Sequence, residues 1–175
     1  MSTNYLIIPG LGNSGEQHWQ TYFEESLPNS TRVKQAEWDS PECNDWVAEI
    51  NAAASRFDPS TVIMIGHSLG CAAIAHWAST SAKQIKGAML VAPSDTESVG
   101  YDFPATGFAP LPATKISFPT IIVASLNDPW VSMDRAKLFA SNWGSQLVDI
   151  GEAGHINAAS GHYKWNEGLE ILSRL

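Results

Sequence analysis

Cysteine, basic residues and long apolar runs are all scarce in this sequence, and each scarcity argues against a class of protein. Only two cysteines, Cys43 and Cys71, occur in 175 residues, and neither has a cysteine or histidine partner at metal-binding spacing. A disulfide framework and a metal site are therefore disfavoured, and a reduced cytoplasmic protein is expected. No apolar run reaches the roughly 18 residues that a membrane-spanning helix needs, so no membrane association is expected.

The basic residues are too few and too scattered to form a phosphate-binding surface. Ten lysines and arginines stand against 18 acids, which gives a net charge of -8. Nucleic acid is therefore a poor candidate as a partner. A length of 175 residues with 44% hydrophobic content is that of one globular domain, and we expect residues 1–175 to form it.

Short apolar runs alternate with amphipathic segments along the whole chain. The runs predict six strands, at residues 4–8, 32–37, 61–65, 85–91, 120–125 and 146–150. The segments between and after them predict helices at residues 18–27, 45–56, 69–79, 133–142 and 163–174. Alternating strands and helices give an α/β fold, with a mostly parallel sheet and helices on both faces. No basic residue precedes the first run, which favours a strand there over a signal peptide.

One segment, residues 94–118, breaks this alternation. It carries three prolines and four aromatic residues and is too long for an ordinary connection in a compact domain. We interpret it as an insertion over the carboxyl edge of the sheet, and so as a candidate lid. The alternative is a solvent-exposed excursion packed by its own aromatic residues.

A serine between two glycines follows the third predicted strand. Residues 66–70 read Gly-His-Ser-Leu-Gly, directly after "TVIMI" and directly before a helix-like run. A sharp strand-to-helix turn exposes the serine hydroxyl above the sheet edge, and it needs glycines where a Cβ would collide with neighbouring backbone. A helix-capping role would explain Ser68 alone, but not the two glycines. Ser68 is therefore the candidate nucleophile.

A serine hydroxyl needs a base to become nucleophilic, and the base needs a group that orients it. Asp128 lies in the turn after the fifth predicted strand, and His155 follows the sixth. Carboxyl ends of parallel strands meet at one edge of a sheet. The order serine, aspartate, histidine is the one that an α/β-hydrolase uses. Either Asp128 or His155 taken singly could be an ordinary loop residue, but the three together indicate a catalytic set.

The loop after the first strand offers backbone donors for an oxyanion. We expect the N–H groups of Leu69 and Leu11 to form the oxyanion hole. The same loop reads Gly-x-Gly-x-x-Gly from Gly10, which is also typical of a dinucleotide site. The acidic residue which that site needs about 20 residues later is only loosely matched by Glu37 or Asp39.

Aromatic residues and one histidine near the predicted strand ends are candidates for the substrate pocket. We assign five residues to this pocket: His18, Trp19, Phe103, Phe108 and Trp130. The short chain leaves little length for a deep acyl tunnel, which predicts a small pocket and short acyl chains.

The motifs "IIPGLGNSGEQHWQ", "IGHSLGCAA", "SLNDPWV" and "GEAGHIN" resemble those of the small α/β-hydrolases of the YdeN type, which include the retinoblastoma-binding protein 9 serine hydrolases. The resemblance covers essentially the whole chain. It implies a shortened α/β-hydrolase fold and a triad of Ser68, Asp128 and His155. It implies no cofactor, and it supplies neither a physiological substrate nor a protein partner for this chain.

These observations predict a serine hydrolase that acts on carboxylic esters or related small acyl compounds through an acyl-enzyme. The alternative is a non-enzymatic protein-binding module on the same scaffold. A missing member of the serine, histidine and aspartate set would favour that alternative, and none is missing.

Overall fold

The computed structural model describes residues 2–175 and contains one six-stranded parallel sheet in the order β2-β1-β3-β4-β5-β6. The strands are β1 (Asn4–Ile8), β2 (Ser30–Arg32), β3 (Val62–His67), β4 (Gly87–Val91), β5 (Thr120–Ala124) and β6 (Gln146–Asp149). The predicted α/β class and six-stranded sheet are confirmed.

Five helices connect or follow the strands. They are α1 (Trp19–Ser26), α2 (Cys43–Ala54), α3 (Leu69–Thr80), α4 (Met133–Trp143) and α5 (Asn166–Leu172). Local chemistry sets some of their ends: the Ser132 hydroxyl accepts the Arg135 N–H at the start of α4, and left-handed Gly144 ends that helix. Within residues 2–175, every helix is too short or too polar to cross a membrane.

The central strand β3 is buried on both faces, which explains its uninterrupted apolar sequence. Val62 and Met64 pack in one cluster with α2 and α3, whereas Ile63 and Ile65 pack in a second cluster with α1 and α5. Successive side chains of a strand point to opposite faces of the sheet. A parallel strand covered by helices on both sides therefore needs apolar residues at consecutive positions.

The second strand lies earlier in the chain than the sequence predicts. It spans Ser30–Arg32 rather than residues 32–37, and it pairs only with β1, placing Arg32 beside Ile7. The Val33 N–H still donates to the Ile7 carbonyl, after which the chain leaves the sheet. An edge strand has one neighbour and exposed side chains, so its position depends on pairing and not on an apolar run.

The order of the strands creates a crevice at the carboxyl edge of the sheet. From β1 the chain passes to the edge strand β2, then returns across β1 to β3 on the other side. The helices that follow β1 and β3, α1 and α3, therefore pack on opposite faces of the sheet. Such a switch point is where α/β folds bind ligands.

The segment 94–118 contains neither helix nor strand, but much of it is packed into the core. Phe108, Ile116 and Phe118 are buried against the cluster that includes α2 and α3. The Thr106 carbonyl accepts the Cys43 N–H at 2.9 Å, which ties the segment to the start of α2. Its description as a lid stays a prediction.

Candidate active site

Ser68 occupies a backbone conformation that a residue with a side chain rarely adopts. It lies between β3 and α3 with φ 53° and ψ -121°. A Cβ at Gly70 would lie 2.3 Å from the Ile8 carbonyl oxygen and 2.6 Å from that of Pro9. Only glycine allows α3 to start this close to the end of β1. The surrounding structure thus holds Ser68 in a strained turn that presents its hydroxyl above the sheet edge.

The loop after β1 approaches the same turn, again through a glycine. A Cβ at Gly10 would lie 2.9 Å from the Ser68 Cβ and 3.0 Å from the His67 carbonyl oxygen. The absence of a side chain at Gly10 lets the next residue, Leu11, lie beside the start of α3. Leu11 and Leu69 consequently line the same cavity as Ser68.

A chain of hydrogen bonds links Ser68 to His155 and Asp128. The Ser68 Oγ lies 2.9 Å from the His155 Nε2, and the His155 Nδ1 lies 2.9 and 3.0 Å from the two carboxylate oxygens of Asp128. The Asp128 side chain is fully shielded from solvent and that of His155 is 9% exposed. Because the carboxylate accepts the Nδ1–H, the Nε2 of the neutral imidazole is free to accept the serine proton.

A second serine, which the sequence analysis did not identify, contacts the same hydroxyl. The Ser94 Oγ lies 2.9 Å from the Ser68 Oγ, three residues beyond the end of β4. Since Ser68 donates its only hydrogen to His155, Ser94 is the donor in this pair. Its place just past a strand, at the same edge as the other site residues, is the one sequence signal that could have identified it.

Two backbone amides at the site have no acceptor in the part of the chain that the structure describes. Among residues 2–175, neither the Leu11 N–H nor the Leu69 N–H donates a hydrogen bond. Leu69 is the first residue of α3, where the N–H groups lack intrahelical partners and the helix dipole is positive. The two amides are therefore available to an oxygen that becomes negatively charged beside Ser68.

Arg32 anchors the loop that carries Leu11. Its Nη1 donates to the Ser14 carbonyl at 2.6 Å and to the Asn13 Oδ1 at 3.0 Å, while its Nη2 donates to the Thr21 Oγ1. An ion pair from its Nε to Glu24 at 2.8 Å fixes the guanidinium. A planar group with several donors can join the loop to α1 in this way, which an ammonium could not do.

The site opens into a cavity of about 230 Å³. Three aromatic side chains line part of it, with ring centroids 5.1 Å apart for Tyr101 and Phe103 and 4.9 Å apart for Phe103 and Trp130. Phe103 and Trp130 thus lie where the sequence analysis expects them, and so does His18. The size of the cavity suits a small ligand.

Two predicted pocket residues lie in the core instead. Trp19 is completely buried against Phe23 and Trp165, and its indole N–H donates to the Ile156 carbonyl at 2.8 Å. Phe108 packs against Trp46, on the core side of segment 94–118. The Trp165 ring, just before α5, covers Trp19, and the Trp46 ring of α2 covers Phe108. Trp19 still serves the site, because its hydrogen bond holds the residue that follows His155.

Two buried histidines near His155, His67 and His18, are uncharged. His67 donates its Nε2–H to the His155 carbonyl at 3.0 Å, and the His18 ring packs on His67 with centroids 4.7 Å apart. Burial lowers the pKa of His67 well below the ordinary value, with smaller contributions from His18 and His155. Burial, with Arg32 next in importance, lowers the pKa of His18 to about 4. Both rings are therefore neutral at pH 7.

The lowered pKa of His18 predicts a loss of stability in mild acid. The pKa of His18 is about 4 in the folded protein and returns to about 6.5 on unfolding. Between these two values His18 binds a proton in the unfolded chain but not in the folded one. The free energy of unfolding should fall by about 2 kcal/mol between pH 7 and pH 5 from His18 alone. Urea unfolding of the wild type and of His18→Asn, which keeps a capping acceptor but cannot titrate, measures this. An equal pH dependence in the two proteins would contradict the prediction.

No group of three or more potential ligands that could hold a metal ion occurs among residues 2–175. The site consists instead of a serine at a strand-to-helix turn, a histidine and aspartate hydrogen-bonded in line with it, and two unpaired amides. Together with the parallel sheet, this is the architecture of an α/β-hydrolase.

Sequence comparison extends this classification. The family model described as serine hydrolase matches residues 5–174, so the chain belongs to the serine hydrolase family. The crystal structure of a YdeN-like hydrolase from Pectobacterium atrosepticum is 38% identical, with a TM-score of 0.86, and the match covers 99% of this chain and 90% of that one. The resemblance to YdeN-type hydrolases is confirmed.

More distant structures share the fold. The ydeN gene product from B. subtilis is 18% identical with a TM-score of 0.79, over 99% of this chain and 98% of that one. A thermophilic esterase from Thermogutta terrifontis, solved with butyrate bound, is 16% identical with a TM-score of 0.68, over 99% and 82% of the two chains. No curated protein matches the sequence.

Proposed function

We propose that this serine hydrolase cleaves carboxylic esters of short acyl chains through an acyl-enzyme. The observation that supports the proposal is the in-line hydrogen bonding of Ser68, His155 and Asp128 at the wall of a small cavity. The esterase with bound butyrate, which shares the fold, agrees with it.

In the first half of the reaction, the Ser68 Oγ attacks the ester carbonyl carbon and its proton passes to the His155 Nε2. Asp128 keeps the imidazole in the required tautomer and stabilises its positive charge. The N–H groups of Leu11 and Leu69 bind the oxyanion of the tetrahedral intermediate. His155 then protonates the departing alcohol oxygen as its bond to carbon breaks, which leaves the acyl group on Ser68.

In the second half, water replaces the alcohol. His155 takes a proton from the water as its oxygen attacks the acyl carbon, and a second oxyanion forms between the same amides. The bond from carbon to the Ser68 Oγ then breaks, and His155 returns the proton to the serine. The products are a carboxylic acid, an alcohol and the unchanged enzyme.

The size of the cavity predicts a preference among acyl chains. Each methylene that contacts the apolar walls gains about 0.8 kcal/mol, and one left in water gains almost nothing. With about 230 Å³ available, kcat/KM for p-nitrophenyl esters should peak at short acyl chains. We expect the maximum at about two to six carbons. Activity that rises steadily to about twelve carbons would contradict a small pocket. A folded protein that hydrolyses none of these esters would favour the binding-module hypothesis.

A further inference from the structure

The cavity beside Ser68 combines its aromatic residues with polar residues that the mechanism above does not use. Asn13, His18 and Asn157 line it, and we call them the donor set. No lysine, arginine, aspartate or glutamate of the described chain lines the cavity. Whatever the donor set recognises is therefore recognised by neutral hydrogen bonds and not by charge.

The backbone fixes the tautomer of His18. Its Nδ1 accepts the Gln20 N–H at 3.1 Å, at the start of α1. An imidazole nitrogen that accepts a hydrogen bond carries no proton, so the proton of the neutral ring is on Nε2. That Nε2–H has no acceptor among residues 2–175, and it is not enclosed in the protein interior. His18 thus presents an unpaired donor at the cavity.

Asn157 is oriented by the turn that follows His155. Its Oδ1 accepts the Ser160 N–H at 3.1 Å, and the Ser160 Oγ accepts the Asn157 N–H at 3.0 Å. Because a backbone N–H must meet an oxygen, the amide orientation is determined. The Nδ2 group is left as the unpaired polar end of the side chain, and Asn157 lines the cavity.

Asn13 follows the same rule in the loop after β1. Its Oδ1 accepts the Ser14 N–H at 2.7 Å and a guanidinium N–H of Arg32 at 3.0 Å. Both partners are donors, so this atom is the oxygen and Nδ2 is free. In all three residues of the donor set, the protein occupies the acceptor atom and leaves an N–H group without a partner among the described residues.

We propose that the donor set selects esters that carry a second, neutral acceptor oxygen, such as an ether or carbonyl oxygen, a few atoms from the bond that is cleaved. The inference rests on the proposed esterase function. A substrate with only methylene groups leaves these donors unpaired when it displaces water from the cavity, whereas an acceptor oxygen satisfies them. An anionic group would enter without a cationic partner, which disfavours carboxylates.

Matched pairs of esters test the inference. p-Nitrophenyl 3-methoxypropanoate and pentanoate differ only by an oxygen in place of a methylene in the acyl part. 2-Methoxyethyl and butyl butanoate differ in the same way in the alcohol part. After correction for the rates of hydroxide hydrolysis, the ether should have the higher kcat/KM in at least one pair, by about 2- to 10-fold. A purely apolar pocket would favour the methylene ester in both pairs.

The variant Asn157→Asp isolates the donor. It retains the oxygen that accepts the Ser160 N–H, and it replaces the Nδ2 donor by an acceptor oxygen. The preference for the ether should therefore disappear or reverse. Asn13→Asp applies the same exchange at the second amide, and Asn44→Asp on the exposed surface of α2 controls for the added negative charge. We expect Asn44→Asp to keep the wild-type ratio.

The outcomes separate the two proposals. If the wild type hydrolyses none of these esters, the proposed function fails. If it hydrolyses both members of each pair and never favours the ether, the proposed function stands and the role of the donor set is wrong. An ether preference that persists unchanged in both Asn157→Asp and Asn13→Asp would also overturn that role.

Discussion

Replacing Ser68 by alanine is expected to reduce kcat for a short p-nitrophenyl ester by about 10⁴- to 10⁶-fold. The reason is that the Ser68 Oγ is the group aligned with the His155 Nε2. The change removes one oxygen atom and leaves the cavity and the two amides in place. The measurement is steady-state hydrolysis of an ester within the preferred size range, with the urea midpoint as a test of folding.

Ser94→Ala is the matched control for this variant. Ser94 donates a hydrogen bond to the Ser68 Oγ, whereas the hydrogen bonds of the His155 ring go to Ser68 and Asp128. Loss of one neutral hydrogen bond should cost about 2- to 10-fold in kcat. If Ser94→Ala were the more damaging of the two, or if Ser68→Ala kept most of the activity, the assignment of the nucleophile would be wrong.

Replacing Asp128 by asparagine should reduce kcat by about 10⁴-fold with little change in stability. An asparagine has the same shape, but its amide can donate a hydrogen bond to the His155 Nδ1. The imidazole then carries its proton on Nε2 and cannot accept the proton of Ser68. The effect thus depends on the tautomer of His155 and not on lost packing. Ester hydrolysis and urea unfolding of the same preparation separate these causes.

Asp102→Asn serves as the control for Asp128→Asn. Asp102 is exposed and lies between the two cavity residues Tyr101 and Phe103. The variant removes a negative charge close to the cavity, whereas the carboxylate that the His155 Nδ1 meets is that of Asp128. Its kcat should remain close to that of the wild type. A loss of less than about 10-fold in Asp128→Asn would contradict the proposed role of Asp128.

The inner strands could be predicted from the sequence because both of their faces are buried. The runs "TVIMI" and "TIIVA" leave few alternatives to a covered parallel strand, and the structure places β3 and β5 there within two residues. The edge strand β2 has the polar sequence Ser-Thr-Arg. Its position is set by pairing with β1, which no local pattern encodes.

The juxtaposition of Ser68, His155 and Asp128 could be foreseen because each follows a strand, and parallel strands end at one edge. In the structure, the Ser68 Oγ lies 2.9 Å from the His155 Nε2, and the His155 Nδ1 lies 2.9 Å from an Asp128 carboxylate oxygen. The lining of the cavity could not be predicted in the same way. Trp19 and Phe108 are aromatic like Phe103, and only their tertiary contacts with Trp165 and Trp46 decide that they are buried.

The free N–H groups of the donor set also cannot be predicted from the sequence, for a physical reason. The sequence predicts His18 at the pocket, but the pattern of residues does not show which of its ring nitrogens is free. The backbone N–H of Gln20 determines this, and it does so only once α1 has formed. Which atoms of the site are free hydrogen-bond donors thus depends on the fold and not on the composition.

The central claim is that Ser68 is the nucleophile, and covalent labelling tests it most directly. The wild type is treated with a fluorophosphonate, digested with trypsin and mapped by mass spectrometry. Trypsin places Ser68 in the peptide 57–83 and Ser94 in the peptide 87–115, so the two serines are distinguished by peptide mass. We expect one phosphonyl adduct, on Ser68, which is lost in Ser68→Ala and strongly reduced in Asp128→Asn. An adduct on Ser94 or on any other residue, or no adduct on the folded protein, would contradict the central claim.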